Sequence, residues 1–360
     1  MNRYYVGWDI GGAHLKAVVV RGDGHVVSVI QHYCPLWQGL EELTSALASV
    51  RQRLPDRSFH GLTMTGEMAD LFANRQEGVR ALLDAFTQSI GSRNAYVYAS
   101  QEFIPLSGFQ PQNHHHIASQ NWRLTAQFLA RHQQSGALLC VDIGSTTTDF
   151  LPVIDGVFKC LGDDDHCRLR TGELIYSGVV RTPVMALSRQ LPFRGEEISV
   201  MAEHFATMAD VYRILQMLPP HADQSPTADG KPKTRQDSIR RLARMIGLDA
   251  ESAPEQTWLL LAEACREMHW QRLTMACLRH LSHIQASQVC LVGAGVGRFL
   301  LPEIARRTGC TYKDYASFFH HAPSCPGDFS VSDCAPAAAL AWLLQGALKE
   351  VPPKSVMINH

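Results

Sequence analysis

The sequence predicts an α/β protein of two related lobes, each a mixed sheet with helices, the second lobe carrying a helical insert. Three observations predict it. At 360 residues and 46% hydrophobic content the chain exceeds what one core holds, since single cores stop growing at about 250–300 residues. A segment beginning at Trp8, WDIGGAHLKAVVVRGDG, is echoed by one beginning at Val141, VDIGSTTTDFLPVIDG. The order strand, strand, strand, helix, strand, helix, strand, helix opens the chain and then starts again.

In order along the chain, Tyr4 to Ile10 reads as a strand, Gly11-Gly12-Ala13 as a turn and Leu15 to Val20 as a second strand. The turn RGDG leads to a third strand from His25 to about His32. A helical pattern runs from Leu40 to Leu54, a buried strand through HGLTMTG, a helix through the region Met68 to Ile90, a strand through NAYVYAS, and a helix around Asn121 to His132. The second copy opens with LLCVDIG, turns at Gly144 and Ser145, returns over Thr148 to Val153, and reaches a third strand at VFKC. Glu197 to Leu218 and Glu255 to Ile284 are helical by pattern, and the stretch between them is too poor in apolar residues to pack. The copy closes with a strand in SQVCLVGAG, a helix in GRFLLPEIARRTG with a glycine stop, a short strand in CTYKDYAS and a terminal helix in APAAALAWLLQGALK. The expected boundaries are residues 1–117 for the first lobe, 118–324 for the second with its insert at about 181–285, and 325–360 for a terminal helix packing back on the lobes.

Charge and composition exclude several functions. With 33 Lys+Arg against 34 Asp+Glu, the net charge of −1 provides no field to recruit nucleic acid or an anionic membrane, so neither is an expected partner. The start MNRYYVGWDIGG lacks the charged and apolar regions of a signal peptide, and no apolar run is expected to approach the roughly 18 residues that span a bilayer. The 10 cysteines are scattered without a C-x-x-C pair, which fits thiols in a reducing, cytoplasmic compartment. Oligomeric state is not legible at this level.

The chemistry concentrates in the repeated hairpins. Glycines at a strand turn let backbone N–H groups converge on an anion, because no Cβ blocks the approach. Gly11, Gly12, His14 and Lys16 on the first hairpin, and Gly144, Ser145, Thr146, Thr147 and Thr148 on the second, are the phosphate-binding candidates. Asp9 and Asp142 at the strand ends, with Asp149, suit Mg²⁺, which prefers one or two carboxylates plus substrate oxygens and water. Two such turns are expected to face one cleft. A third cluster, Gly293, Gly295 and Gly297, lies at a strand-to-helix junction and can also serve an anion, or serve only close helix packing. It is not a dinucleotide fingerprint, since Arg298 stands where G-x-G-x-x-G needs glycine, and no P-loop motif is present.

Taken together, DIGGAHLKAV, VDIGSTTTDFLPV and VCLVGAGVGR resemble the two phosphate motifs and the adenosine motif of the superfamily of actin, sugar kinases and heat-shock ATPases. That resemblance covers nearly the whole chain and implies duplicated actin-like ATPase (ribonuclease H-like) lobes. The second hairpin is most similar to the hydantoinase/oxoprolinase group. TMTGEMADLFANRQEGV, ASQNWRLTAQFLA, CRLRTGELIYSGVVRTPV and TADGKPKTRQDSIRRLARMIGLD further resemble proteins linked to the tetrahydromethanopterin one-carbon pathway, among them the aryl ether synthases of methanofuran assembly. This narrower resemblance implies a Mg²⁺-dependent transferase in which a tyramine- or tyrosine-type phenol displaces diphosphate from an aminomethylfuran-methyl carbon. The implied partners are thus a small organic diphosphate and a phenolic amine. Glu67 and Glu173, each after a Thr-Gly pair, are candidates for the phenol's base or for structural carboxylates. An ATP-dependent kinase or hydantoinase-type hydrolase on the same fold, with ATP as cofactor, is the first alternative, and a nucleotide-regulated binding module is the second.

Of the remaining features, His114 to His116 read as a solvated loop, and Asp163 to Asp165 as either a divalent site or a turn. Arg168, Arg170 and Arg181 include at least one expected substrate ligand, because Arg captures phosphate or carboxylate with two bonds at once. Lys231, Lys233 and Arg235 alternate along the polar stretch His221 to Gln236, which is expected to be a mobile lid over an anionic substrate or else a plain basic linker.

Overall fold

The computed structural model describes residues 3–322 and 329–350. The expected boundary between 324 and 325, and residues 351–360 of the expected terminal segment, lie outside them. Two compact units are formed, one from the chain up to Phe128 together with the chain from Phe318, the other from Leu129–Ser317.

Strands β1 (Tyr4–Ile10), β2 (His14–Arg21) and β3 (Val26–Tyr33) form the opening antiparallel meander of the first unit. Helix α1 (Leu40–Arg51) leads to β4 (Ser58–Met64), which runs parallel to β1. Helix α2 (Arg75–Ile90) follows, then β5 (Ala95–Ala99), β6 (Glu102–Pro105) and α3 (Asn121–His132). The sheet order is β3-β2-β1-β4-β5-β6. Helix α2 begins later than the sequence pattern indicates because Asn74 caps it, its Oδ1 accepting the Glu77 amide at 2.9 Å. Strand β6 is not marked in the sequence, being only four residues, Glu-Phe-Ile-Pro, and ending in proline. Val6, Trp8, Ile10, Leu15, Leu62 and Phe86 build the core, each such burial contributing about 1.5–3 kcal/mol.

The second unit repeats the plan. Strands β7 (Ala137–Ile143) and β8 (Thr148–Ile154) form its hairpin, and the expected third strand shrinks to β9 (Val157–Phe158). After helix α4 (Asp165–Thr171), β10 (Leu174–Ile175) completes that edge by pairing with β8. The insert begins with β11 (Gln190–Phe193) and β12 (Glu196–Ser199), where the sequence pattern indicates a helix from Glu197. Arg194 and Gly195 explain the difference, since their φ of +52° and +87° make the two-residue turn that closes a hairpin. Helices α5 (Met208–Ile214), α6 (Arg235–Arg244) and α7 (Glu255–Leu281) follow. Finally β13 (Val289–Ala294), α8 (Leu301–Thr308) and β14 (Thr311–Asp314) give the order β10-β8-β7-β13-β14, with β7, β13 and β14 parallel. Strand for strand this matches β3-β2-β1-β4-β5 of the first unit.

Helix α9 (Ala335–Glu350) belongs to the first unit and packs on β1 so closely that a Cβ at Gly7 would sit 2.6 Å from the Ala341 amide nitrogen. By length and composition the stretch Val331–Lys349 is long enough to cross a membrane, contrary to the sequence expectation, yet 78% of that window is buried in the protein. It is used here as a core helix.

Candidate functional site

The first hairpin is closed by the Gly11 amide donating to the His14 carbonyl at 3.0 Å, which places Ile10 opposite Leu15 and Asp9 opposite Lys16. Behind the turn, the amides of Leu36 and Cys34 donate to the carbonyls of Gly12 and Ala13 at 3.0 and 2.9 Å. Fixing those carbonyls fixes the peptide planes of the turn. The amides of Gly12 and Ala13 donate to no backbone carbonyl among the described residues, whereas that of Gly11 is spent on the turn itself. Gly12 has open space where a Cβ would be. Asp9, only 4% exposed, accepts a long 3.5 Å bond from Asn121 Nδ2, and the buried His14 ring lies edge-on to Tyr33.

The second hairpin has the same register. The Gly144 amide donates to Thr147 at 2.8 Å, Ile143 faces Thr148, and Asp142 faces Asp149. Here the support comes from residues 177–182. The amides of Val179, Val180 and Arg181 donate to the carbonyls of Gly144 and Ser145 at 2.8–3.1 Å, and a Cβ at Gly178 would lie 2.5 Å from the Thr146 nitrogen. No spacing in the sequence marks this segment as part of the turn; only Gly178, which must lack a side chain, carries a signal. The amides of Ser145 and Thr146, at the tip of this turn, donate to no backbone carbonyl among the described residues. Ser145 and Thr146 hydroxyls lie 3.4 Å apart. Thr148 is corrected: its hydroxyl is fully buried and donates to the Ser177 carbonyl at 2.6 Å, so it braces the turn instead of meeting an anion.

Gly293, Gly295 and Gly297 come to this second hairpin. Ala294 pairs with Asp142, the Gly297 amide donates to the Ile143 carbonyl at 2.8 Å, and a Cβ on Gly295, whose φ is +79°, would overlap the Ile143 carbonyl oxygen and lie 2.5 Å from Asp142 Oδ1. Gly295 is thus a cradle for the Asp142 carboxylate. Burial pushes the Tyr315 hydroxyl well above its usual pKa, with Cys140 and Asp142 adding to it. Among the described residues no three His, Cys, Asp or Glu side chains gather as a metal cage. One or two carboxylates, with the remaining positions left to water and substrate, is the donor set that Mg²⁺ takes, and Asp142 over Gly295 fits it.

Asp149 and Arg168 answer each other. Arg168 Nη1 donates to Asp149 Oδ1 at 2.8 Å, and Nη2 donates to the Glu173 carbonyl at 3.2 Å. With 1% exposure, Arg168 is a buried counter-ion and the expectation that it binds substrate is corrected. Glu173 is equally buried, its two oxygens accepting from the amides of Leu161 and Gly162 and from the Thr171 hydroxyl at 2.6–2.8 Å. It ties down the loop that carries Arg168. The run Asp163–Asp165 resolves as a helix start, Asp164 accepting the Cys167 amide at 2.8 Å as the N-cap of α4. Glu67 lies instead beside the first hairpin, buried, accepting from the Ser119 hydroxyl at 2.7 Å.

Arg181 is exposed next to the second turn. Lys233 donates to the Asp223 carbonyl at 2.8 Å and pairs with its carboxylate, while the Lys231 amide and carbonyl close a turn with Asp229 and Thr227. Buried Arg241 bonds Asp210 at 2.8 Å and Asp229 at 3.0 Å. The polar stretch expected to be mobile is therefore pinned by ion pairs, which supply the anchoring its missing apolar residues do not. His114 to His116 form a short turn, with His116 Nδ1 2.6 Å from the Ser100 hydroxyl.

Two units with matching strand orders, each opening on an Asp-Gly hairpin, define the actin-like ATPase (ribonuclease H-like) fold. A solved structure of nucleotide-free acetone carboxylase shares it, with a TM-score of 0.56 at 11% identity over 84% of this chain and 67% of that one. The model of the hydantoinase/oxoprolinase family matches residues 59–320, and the chain belongs to that family. It is 32% identical over 252 residues, 70% of this chain and 74% of the relative, to the (4-{4-[2-(gamma-L-glutamylamino)ethyl]phenoxymethyl}furan-2-yl)methanamine synthase of Methanocaldococcus jannaschii. To the synthase of the same name from Methanococcus vannielii it is 33% identical over 124 residues, 34% of this chain and 55% of that one.

Proposed function

We propose that this protein is an aryl ether-forming transferase, joining an aminomethylfuran-methyl diphosphate to the phenol oxygen of a tyramine- or tyrosine-type acceptor in methanofuran-type cofactor assembly that supports tetrahydromethanopterin-linked one-carbon metabolism. The observation that carries this reading is the 32% identity with a phenoxymethylfuran synthase over 70% of the chain, because the fold alone serves unrelated chemistries. In the reaction the bond from the methylene carbon to the diphosphate oxygen breaks, its electron pair leaving with diphosphate. The phenol oxygen forms the new bond to carbon and gives up its proton. The furan oxygen lone pair delocalises positive charge at that carbon, so the demand on the protein is to hold the leaving group.

Each unit's hairpin carries fixed donors for phosphate oxygens at no cost of reorientation: the amides of Gly12 and Ala13, with Lys16, in the first, and the amides of Ser145 and Thr146 in the second. Asp142 would hold Mg²⁺ at the second hairpin, and Asp9 is the corresponding carboxylate at the first. When bound, that ion would neutralise charge on the departing diphosphate. Glu67, buried beside the first hairpin, takes the phenol proton, whereas Glu173 holds the loop that carries Arg168. The buried free thiols of Cys34, Cys140, Cys265 and Cys277 accord with a reducing, cytoplasmic setting.

The test is mass spectrometry of the product from an aminomethylfuran-methyl diphosphate, tyramine or tyrosine, and Mg²⁺, with ATP turnover measured alongside. An ether and diphosphate formed in equal amounts without ATP consumption is the expected result. ATP hydrolysis without ether would replace this reading with an ATP-dependent kinase or hydrolase on the same fold.

A further inference from the structure

The four residues Ala118-Ser119-Gln120-Asn121, which lead into α3, touch two carboxylates of the first unit, Glu67 and Asp9. Ser119 Oγ donates to Glu67 Oε1 at 2.7 Å, and Asn121 Nδ2 donates to Asp9 Oδ2 at 3.5 Å. The stretch is registered on the sheet by a parallel bridge between Ala118 and Met64, and Gln120 Nε2 closes it by donating to the Ala118 carbonyl at 3.3 Å. Its backbone is unusual. Ser119 has φ of +52°, a left-handed conformation that costs a residue with a Cβ and costs glycine nothing, and it does so while 4% exposed.

Glu67 is held from its other sides as well. The Thr65 amide donates to the Ile10 carbonyl at 2.9 Å, and a Cβ on Gly66 would sit 3.2 Å from the carbonyl oxygens of Ile10 and Gly11. A Cβ on Gly78, in α2, would overlap the Glu67 carbonyl oxygen and lie 2.8 Å from its Cα. The backbone of Glu67 is thus wedged between the first hairpin turn and α2, and the Ser119 hydroxyl bonds one oxygen of its carboxylate.

We propose that Ser119 is a positioning residue that fixes the rotamer of the Glu67 carboxylate for proton abstraction from the phenol acceptor, its left-handed backbone being kept for the sake of that hydroxyl. This rests on the reading of Glu67 as the base. Serine at this position trades backbone ease for orientation, as residues in left-handed conformations at working sites do.

Ser119→Gly separates orientation from folding, because it removes the hydroxyl while easing the backbone. The full chain is assayed with the furan diphosphate, tyramine or tyrosine, and Mg²⁺. Ser119→Gly is expected to melt at or above the parent temperature while kcat falls ten- to a hundredfold and KM for the diphosphate stays within twofold. Ser119→Ala, which keeps the costly backbone and loses the hydroxyl, should show the same kcat. Glu67→Gln should fall further, and Ser119→Gly should add nothing to it, since effects that run through one group are not additive. Parent-like kcat in Ser119→Gly beside an inactive Glu67→Gln would overturn the positioning role and leave the base in place. Full activity in Glu67→Gln would overturn both, and an additive loss in the double variant would show Ser119 acting by another route.

Discussion

The two Asp-Gly hairpins share a register residue for residue, yet across the ladder from the aspartate one carries Lys16 and the other Asp149. At the first, a cation faces the carboxylate, so the hairpin can draw a phosphate by charge as well as by its amides. At the second, a carboxylate faces a carboxylate, and the excess is answered from behind by buried Arg168. Duplication thus preserved the backbone trap and divided the electrostatics. Under the proposed reading, the turn geometry would set where an anion goes, and the residue opposite the aspartate whether it comes by itself or with a cation.

Asp142→Asn should have the largest effect, a fall of about a thousandfold in kcat/KM with little change in the circular dichroism spectrum, because the amide keeps the shape and loses the charge that would hold Mg²⁺ under the proposed reading. Asp9→Asn should also lose activity, but less, since Lys16 still serves the phosphate. Equal activity of both variants and the parent would break the comparison, and a loss of melting temperature without loss of turnover would make both aspartates structural. Next comes Arg168→Met, expected to destabilise by about 3 kcal/mol in urea unfolding because it removes the buried guanidinium that pairs with Asp149, the residue opposite Asp142. A double variant with Asp149→Asn should recover part of that loss.

The comparison extends to one histidine in each unit. His60, which accepts from Trp8 Nε1 at 3.1 Å, and fully buried His269, 2.6 Å from the Tyr212 hydroxyl, are both lowered to about 4, burial being the main cause. Unfolded imidazole takes its proton near pH 6.5, so between 6.5 and 4 the unfolded chain binds more protons and stability falls as pH falls. At pH 5, His269 should cost about 2 kcal/mol relative to pH 7, and His60 less because it is partly exposed. Unfolding free energies at the two pH values, with and without His269→Gln, check it: a slope unchanged by that variant would reject the assignment.

Smaller effects sharpen the charge asymmetry. Lys16→Met should raise KM for the diphosphate about tenfold, with kcat near that of the parent and with weaker dependence on salt. Gly12→Ala should leave stability within about 0.5 kcal/mol, since a Cβ there meets nothing within 4 Å, and should raise the same KM by a few fold if the phosphate approaches that amide. An unchanged KM in both variants would remove the first hairpin from diphosphate binding.

Much of this was legible in the chain because hairpins are local. Strand, glycine turn and returning strand are written in one unbroken segment, Tyr4 to Arg21, and the second writing at Val141 makes the first credible. Contacts between distant segments were not. Residues 177–182, which brace the second turn, and Gly295, which cradles Asp142, reach that hairpin only through the sheet. Arg168 and Glu173 show the same blindness from the other side: a guanidinium or carboxylate buried against its own partners has the same letter as one awaiting a substrate. Ionic anchoring misled the reading of His221 to Gln236, because scarcity of apolar residues says that a loop lacks a core, not that it lacks partners such as Arg241.

The close packing of Gly7 on helix α9 has a consequence for synthesis. The second unit is one uninterrupted stretch, Leu129–Ser317, whereas the first waits for a helix encoded after it. A ribosome making this chain therefore finishes the second unit's share of sequence before the first can cover strand β1, and the strand bearing Asp9 spends most of translation without its lid of alanines. The unit begun first is the unit completed second, and during that interval its uncovered β1 face is the surface a chaperone would meet.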